Sequence, residues 1–131
     1  MAFETEAQRI LEKHECKPRR ASELLDLWRF FVDECVDGYG SSIYEFDNDL
    51  SVREDIEVLL QADEVADRQG FEAFLSVLKI IDVRYAELLQ PDVKRPGNIA
   101  HWWRTGVLRY AGDEYCSDVN DLYSIQVRKL E

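Results

Sequence analysis

The sequence predicts an all-α, single-domain bundle of about five or six helices, with its C-terminal ~20 residues open between a helix and a small β-hairpin. Three observations predict this. Apolar residues recur at three- and four-residue spacing along most of the chain. The chain has 131 residues, of which 46% are apolar, enough for one domain with a real core. Pro18, Gly38 and Pro91 fall where the periodic stretches would have to stop.

The elements follow in order. Phe3, Ala7, Ile10 and Leu11 form one helical stripe, with Thr5 and Gln8 as a capping box, and Pro18 ends that element. The clearest helix spans about Ser22 to Asp37. Leu24, Leu25, Trp28, Phe31, Val32 and Cys35 share one face, and Gly38 is its stop. A Gly/Ser-rich joint, residues 38–42, comes next. Ser42 and Glu45 could open a short helix, while Tyr44 and Phe46 alternate as in a strand. Ser51 and Glu54 make a second capping box for a helix with Val52, Ile56, Leu59 and Leu60 inward. A longer helix is expected over Glu64 to Gln90, kinked or split at Gly70 and ended by Pro91. Residues 94–98 read as a loop, and Asn98 could cap a short helix carrying His101, Trp102 and Trp103. For the tail, Tyr115, Val119, Leu122 and Tyr123 fit a helix after Gly112. A hairpin turning at Asn120-Asp121 is the rival.

The acidity is concentrated in one stretch. The chain carries 27 acids against 16 bases, a net charge of −11. Residues 21–72 hold 15 acids and 3 bases, a net of −12, so this segment supplies the whole excess. Such a patch repels nucleic acid and anionic membrane and attracts basic proteins. No apolar run approaches a membrane span, and the N-terminus lacks the apolar segment of a signal peptide. Three widely spaced cysteines, an odd number, argue for a reducing compartment, and a cytoplasmic location is expected.

Helical geometry says where these acids point. At about 100° per residue from Leu24, the core stripe of the Ser22–Asp37 helix centres near ~40°. Asp26, Asp33 and Asp37 then fall at roughly 180–220°, and Glu23 and Glu34 near ~260–280°. Phe30 lies among them near ~240°. An aromatic ringed by carboxylates on an outward face is unusual for a plain solvated helix. The alternative is that Leu27 and Phe30 form a second apolar stripe against another helix. Tyr39, Tyr44, Glu45, Phe46, Asp47 and Asp49 repeat the mixture, which matches the aromatic anchors and polar rim of protein interfaces. Of Tyr39, Tyr44 and Phe46, at least one is expected to be exposed.

Catalytic motifs are scarce. Glu54-Asp55-Ile56-Glu57 is an E-x-x-E. Glu34-Cys35-Val36-Asp37 and Glu64-Val65-Ala66-Asp67 are each an E-x-x-D. Carboxylates three apart share a helix face and can hold Mg²⁺. These motifs resemble those of the all-α nucleotide pyrophosphohydrolases, which implies a metal-dependent hydrolase using Glu34, Asp37, Glu54, Glu57, Glu64 and Asp67. The spacing departs from that family, because only six residues separate Glu57 from Glu64. Glu54 and Glu57 also point away from the apolar face of their helix. Asp47-Asn48-Asp49 hints at a calcium loop, but Val52 and Val58 stand where the loop needs Gly and Glu. His14, Cys16, His101 and Cys116 have no zinc-ligand spacing. Cys35 reads as a buried thiol. His101-Trp102-Trp103-Arg104 reads as a plug closing the bundle, with an aromatic contact surface as the alternative.

The expectation is therefore a small acidic binding module without catalytic activity, cofactor or metal, that neutralises a basic protein. Bacterial immunity proteins that inhibit nuclease toxins have this character. In this reading Asp26, Asp33, Asp37, Glu45, Asp47 and Asp49 steer and pair with the partner's bases, while Phe30, Tyr39, Tyr44 and Phe46 fill its pockets. The alternatives are the metal-dependent nucleotide hydrolase and a regulatory or scaffold domain whose acidity serves solubility.

Overall fold

Helix α1 (Ala2–Lys13) forms because Phe3, Ala7, Ile10 and Leu11 recur on one face, and all four are buried. The computed structural model describes residues 2–17, 19–66, 68–97 and 99–130. The expected stop at Pro18 and cap at Asn98 lie outside those residues. Thr5 and Gln8 do not cap α1, since the helix already runs through both.

Helix α2 (Ala21–Gly38) is the central element, and its Leu24, Leu25, Trp28, Phe31, Val32 and Cys35 are all buried as the spacing predicts. A carboxylate from another helix caps its start: Glu4 of α1 accepts from the backbone N–H of Ala21 at 2.6 Å and of Ser22 at 3.2 Å. Two orphan donors of α2 are thereby satisfied by α1, which locks the two helices together. Gly38 ends α2 at φ +103°, a conformation that L side chains rarely adopt.

Helix α3 (Ile43–Asp49) resolves the ambiguity at residues 43–50 in favour of a helix. Ser42 caps it, its hydroxyl accepting from Glu45 N–H at 3.2 Å. Helix α4 (Ser51–Gln61) follows at once. Leu50 occupies the cap position, so the Ser51/Glu54 box is not formed. Gly70, at φ +101°, does split the long predicted helix, into α5 (Asp63–Ala66) and α6 (Phe71–Glu87). Helix α6 lies against α2 and buries Phe74, Leu78, Ile81 and Tyr85.

The predominantly helical architecture is as expected, but the C-terminal third departs from it. Pro91 does not end α6. It sits within strand β1 (Leu89–Lys94), which pairs antiparallel with β2 (Gly106–Leu108), the register slipping between the Leu89/Leu108 and Lys94/Gly106 pairs. Between them lies α7 (Trp102–Thr105). A two-stranded ribbon tolerates proline because, among the described residues, one edge of β1 has no paired strand to receive a donated hydrogen bond. Residues Asp113–Tyr123 form α8, so no hairpin turns at Asn120-Asp121. The chain then returns so that β4 (Arg128–Lys129) pairs in parallel with β3 (Tyr110–Ala111). Among the described residues, no helix is long and apolar enough to cross a membrane.

Aromatic side chains fill the centre of the core. Trp28 stacks on Phe31 at 5.6 Å, Phe31 meets Phe46 at 5.3 Å, and Phe46 meets Tyr115 at 4.9 Å. One charged side chain enters this region. Arg53 of α4 is buried, donates from Nε and Nη2 to the two oxygens of Asp82 at 3.0 Å each, and donates from Nη1 to Glu57 at 3.0 Å. Its guanidinium carbon also stands 4.4 Å from the Trp103 ring centre.

Candidate partner-binding groove

Many of the acids are neutralised within the protein. Asp26 pairs with Arg29 at 3.0 Å, and Asp33 pairs with Arg84 of α6. Asp47 is gripped by both terminal nitrogens of Arg95, at 2.7 and 2.9 Å, and Arg95 Nη2 also donates to the Tyr123 hydroxyl. Glu54 receives Trp103 Nε1 at 3.0 Å and two donors of Arg104. The bases of the C-terminal half thus fold back onto the acidic segment. By contrast Glu34, Asp37, Glu45, Asp49 and Asp55 have no basic side chain within ion-pair distance among the described residues.

Three of these unpaired carboxylates come together. Glu34 of α2, Asp49 at the end of α3 and Asp55 of α4 line a groove of about 550 Å³, with Leu27 and Phe30 on its α2 wall. Phe30 is 65% exposed, so no neighbouring helix covers it and the second-stripe alternative is not realised. Glu15, Cys16, Lys17 and Arg19 line the groove as well. Burial and the nearby charge of Asp49 hold Glu34 above the usual carboxylate range. Burial, then the charge of Asp55, raises the Cys16 thiol. In both cases burial is the larger cause and a neighbouring carboxylate adds to it.

The predicted contact residues divide. Tyr44 is 67% exposed and lies one helical turn before Asn48, which lines the groove, so Tyr44 extends the same face. Glu45 is exposed beside it, and Asp37 is exposed at the end of α2. Tyr39 and Phe46 do not fill partner pockets, because both are core residues. Phe46 points between Phe31, Tyr39 and Tyr115, and Tyr39 turns its hydroxyl to donate to Asp49 at 2.7 Å. Burial and the Asp49 hydrogen bond push the Tyr39 phenol well above its ordinary value. Asp47, clamped by Arg95, holds the fold together instead of presenting a free charge, and Asp26 and Asp33 are partly neutralised.

The sequence did not place Asp55, or the connector residues Glu15, Cys16, Lys17 and Arg19, at this groove. The signal for Asp55 was present: it lies to the side of the α4 apolar stripe, where a residue borders the neighbouring groove. No local pattern placed the connector there.

The acids of the E-x-x-E and E-x-x-D motifs are arranged differently. Glu54, Glu57 and Glu64 line a second cleft of about 440 Å³, shared with His14 and His101. Each of the three is already held by a base: Glu54 by Arg104, Glu57 by Arg53, and Glu64 by Lys13 at 4.0 Å. Glu34 faces the other groove, and Asp67 lies outside the described residues. Among the described residues, no group of three His, Cys, Asp or Glu side chains is placed to hold a metal ion. Trp103 is buried as the plug, with His101 stacked on it at 4.4 Å. Trp102 remains 42% exposed, and Arg104 turns to Glu54 instead of stacking.

No protein-family model, no curated protein and no solved structure matches this chain.

Proposed function

We propose that the protein is a small acidic binding module that neutralises a basic protein partner, of the immunity or antitoxin type that inhibits a nuclease. The observation that carries this reading is Phe30, exposed on the wall of a groove whose Glu34, Asp49 and Asp55 have no basic side chain within ion-pair distance among the described residues, although Lys17 and Arg19 also line it. An aromatic anchor ringed by carboxylates fits a partner segment that pairs a pocket or flat apolar surface with Lys or Arg. The acids accelerate encounter and select against wrong partners, and Phe30 and Tyr44 slow dissociation. Inhibition would follow from covering the partner's own anion-binding surface. Three free cysteines are in keeping with action in the reducing cytoplasm.

The test is capture of a partner by tagged protein at low and high salt, repeated with Phe30→Ala and with Glu34→Gln/Asp49→Asn. A stoichiometric basic partner is expected, released by salt, lost faster from Phe30→Ala, and slower to associate with the double variant. Capture that is indifferent to all three substitutions would move the interface elsewhere. Absence of any salt-sensitive partner would reject the reading.

A further inference from the structure

A third groove, of about 560 Å³, lies between α8, the returning tail and the β1 end of the ribbon. It shares no residue with the groove of Phe30. Its charged lining residues are Arg109 and Arg128, and among the described residues no carboxylate lines it. In a chain with 27 acids and 16 bases, a lining of two bases and no acid runs against the overall charge.

The fold holds the two arginines in place. Arg109 donates from its backbone N–H to Leu88 O at 2.8 Å, and its side-chain Nε donates to Glu87 O at 3.0 Å. That leaves both terminal nitrogens of a pinned guanidinium without a partner among the described residues. Arg128 is joined directly to it, donating from its backbone N–H to Arg109 O at 3.2 Å, and its guanidinium lies over the Tyr110 ring at 5.4 Å. The remaining wall is polar apart from Cys116 and Val127. Ser117 and Asn120, three apart on α8, share a face and bring hydroxyl and amide donors. Gln90 ties the tail to the ribbon, its amide donating to Leu108 O at 3.1 Å and to Gln126 O at 2.8 Å, which fixes the groove's shape.

We infer that this groove binds the phosphate group of a small phosphorylated molecule. Two guanidinium forks with hydroxyl and amide donors are the set that recognises a tetrahedral oxyanion in several directions at once. A single carboxylate is planar and needs only one fork. The volume exceeds that of phosphate and leaves room for the group that carries it. The net charge of −11 opposes loose accumulation of anions, so saturable binding reports this groove and not general attraction.

The probe is inorganic phosphate, titrated into ¹⁵N-labelled protein at constant ionic strength, with acetate as the parallel arm. Phosphate should shift the amides of Ser117, Asn120 and Arg128 saturably. Arg109→Gln/Arg128→Gln should weaken it by about tenfold or more. Arg109→Lys should fall between, keeping the charge and losing the fork. Should the double variant melt early, Asn120→Asp serves instead, because it adds a negative charge on an exposed helix face and should abolish the effect. No saturable shift in the groove, shifts unchanged by Asn120→Asp, or acetate binding as tightly as phosphate would each overturn the assignment.

Discussion

Arg53 and Asp82 meet through two hydrogen bonds of 3.0 Å, and the same Asp82 oxygen that faces Arg53 Nε also accepts Trp28 Nε1 at 2.9 Å. One carboxylate therefore ties α2, α4 and α6 together. Arg53 keeps only 4% of its surface in contact with solvent, so removing Asp82 would leave a buried cation with Glu57 as its remaining ion-pair partner. Asp82→Ala is expected to cost about 3–5 kcal/mol, the range for breaking one side of a buried pair. Arg53→Met with Asp82→Leu should recover only part of that, since it removes the unpaired cation but still leaves the buried Trp28 N–H without its acceptor. Urea unfolding of the single and double variants checks both.

Glu54 gives the protein a definite acid dependence. Burial raises its carboxyl, but hydrogen bonds from Arg104 and Trp103 and the charge of Arg104 outweigh this and hold it below the usual carboxylate range. As pH falls, the unfolded chain takes up this proton before the folded one. The stabilisation is thus complete above the ordinary carboxylate value and is lost as pH drops through the depressed folded value. Glu54→Gln should lower stability near neutrality by about 1.5 kcal/mol, the lower end for charged hydrogen bonds at a partly exposed site. Its stability curve should converge with the wild type in acid, as thermal unfolding across the acid limb would reveal. Parallel curves over that range would contradict the assignment.

Phe30 and Phe46 should behave as opposites. Phe46→Ala removes a ring packed among Phe31, Tyr39 and Tyr115 and should cost about 3–5 kcal/mol of stability. Phe30→Ala touches a mostly exposed ring and should change stability by no more than about 0.5 kcal/mol. If Phe30 anchors the partner, its loss should nevertheless cost about 2 kcal/mol of binding, seen as faster dissociation. A stability loss at Phe30 comparable to that at Phe46 would show that the ring serves the fold.

Gly38→Ala tests the joint between α2 and α3. The residue sits at φ +103°, and an added Cβ would stand 2.6 Å from Leu130 Cδ2. The flexible Leu130 can give way, so the backbone is the main source of the expected loss, about 1–2 kcal/mol. Gly40, which has open space around it and no such φ, is the control and should tolerate alanine. Thermal unfolding of the pair distinguishes backbone strain from a general sensitivity of the loop.

The sequence by itself determined the predominantly helical class and the inward faces of α1 and α2, while residues 43–50 and the tail stayed open between helix and strand. The stripes of α1 and α2 and the interruption at Gly70 are local, since an amphipathic repeat or a φ above zero is specified within a few residues. It also located the negative charge and set Phe30 away from the core stripe, while the structure decided that no second stripe covers it. Only the tertiary structure decided which acids stay free. Asp47 and Glu54 look no different in sequence from Asp49 and Asp55, yet Arg95 and Arg104, some fifty residues away, neutralise the first pair and leave the second. The same holds for Tyr39 and Phe46, whose neighbours charge patterning cannot reveal, and for Arg109 and Arg128, which become one basic groove only when β4 returns to β3. Pairing between distant residues depends on how the elements close on one another, and no local periodicity encodes that closure.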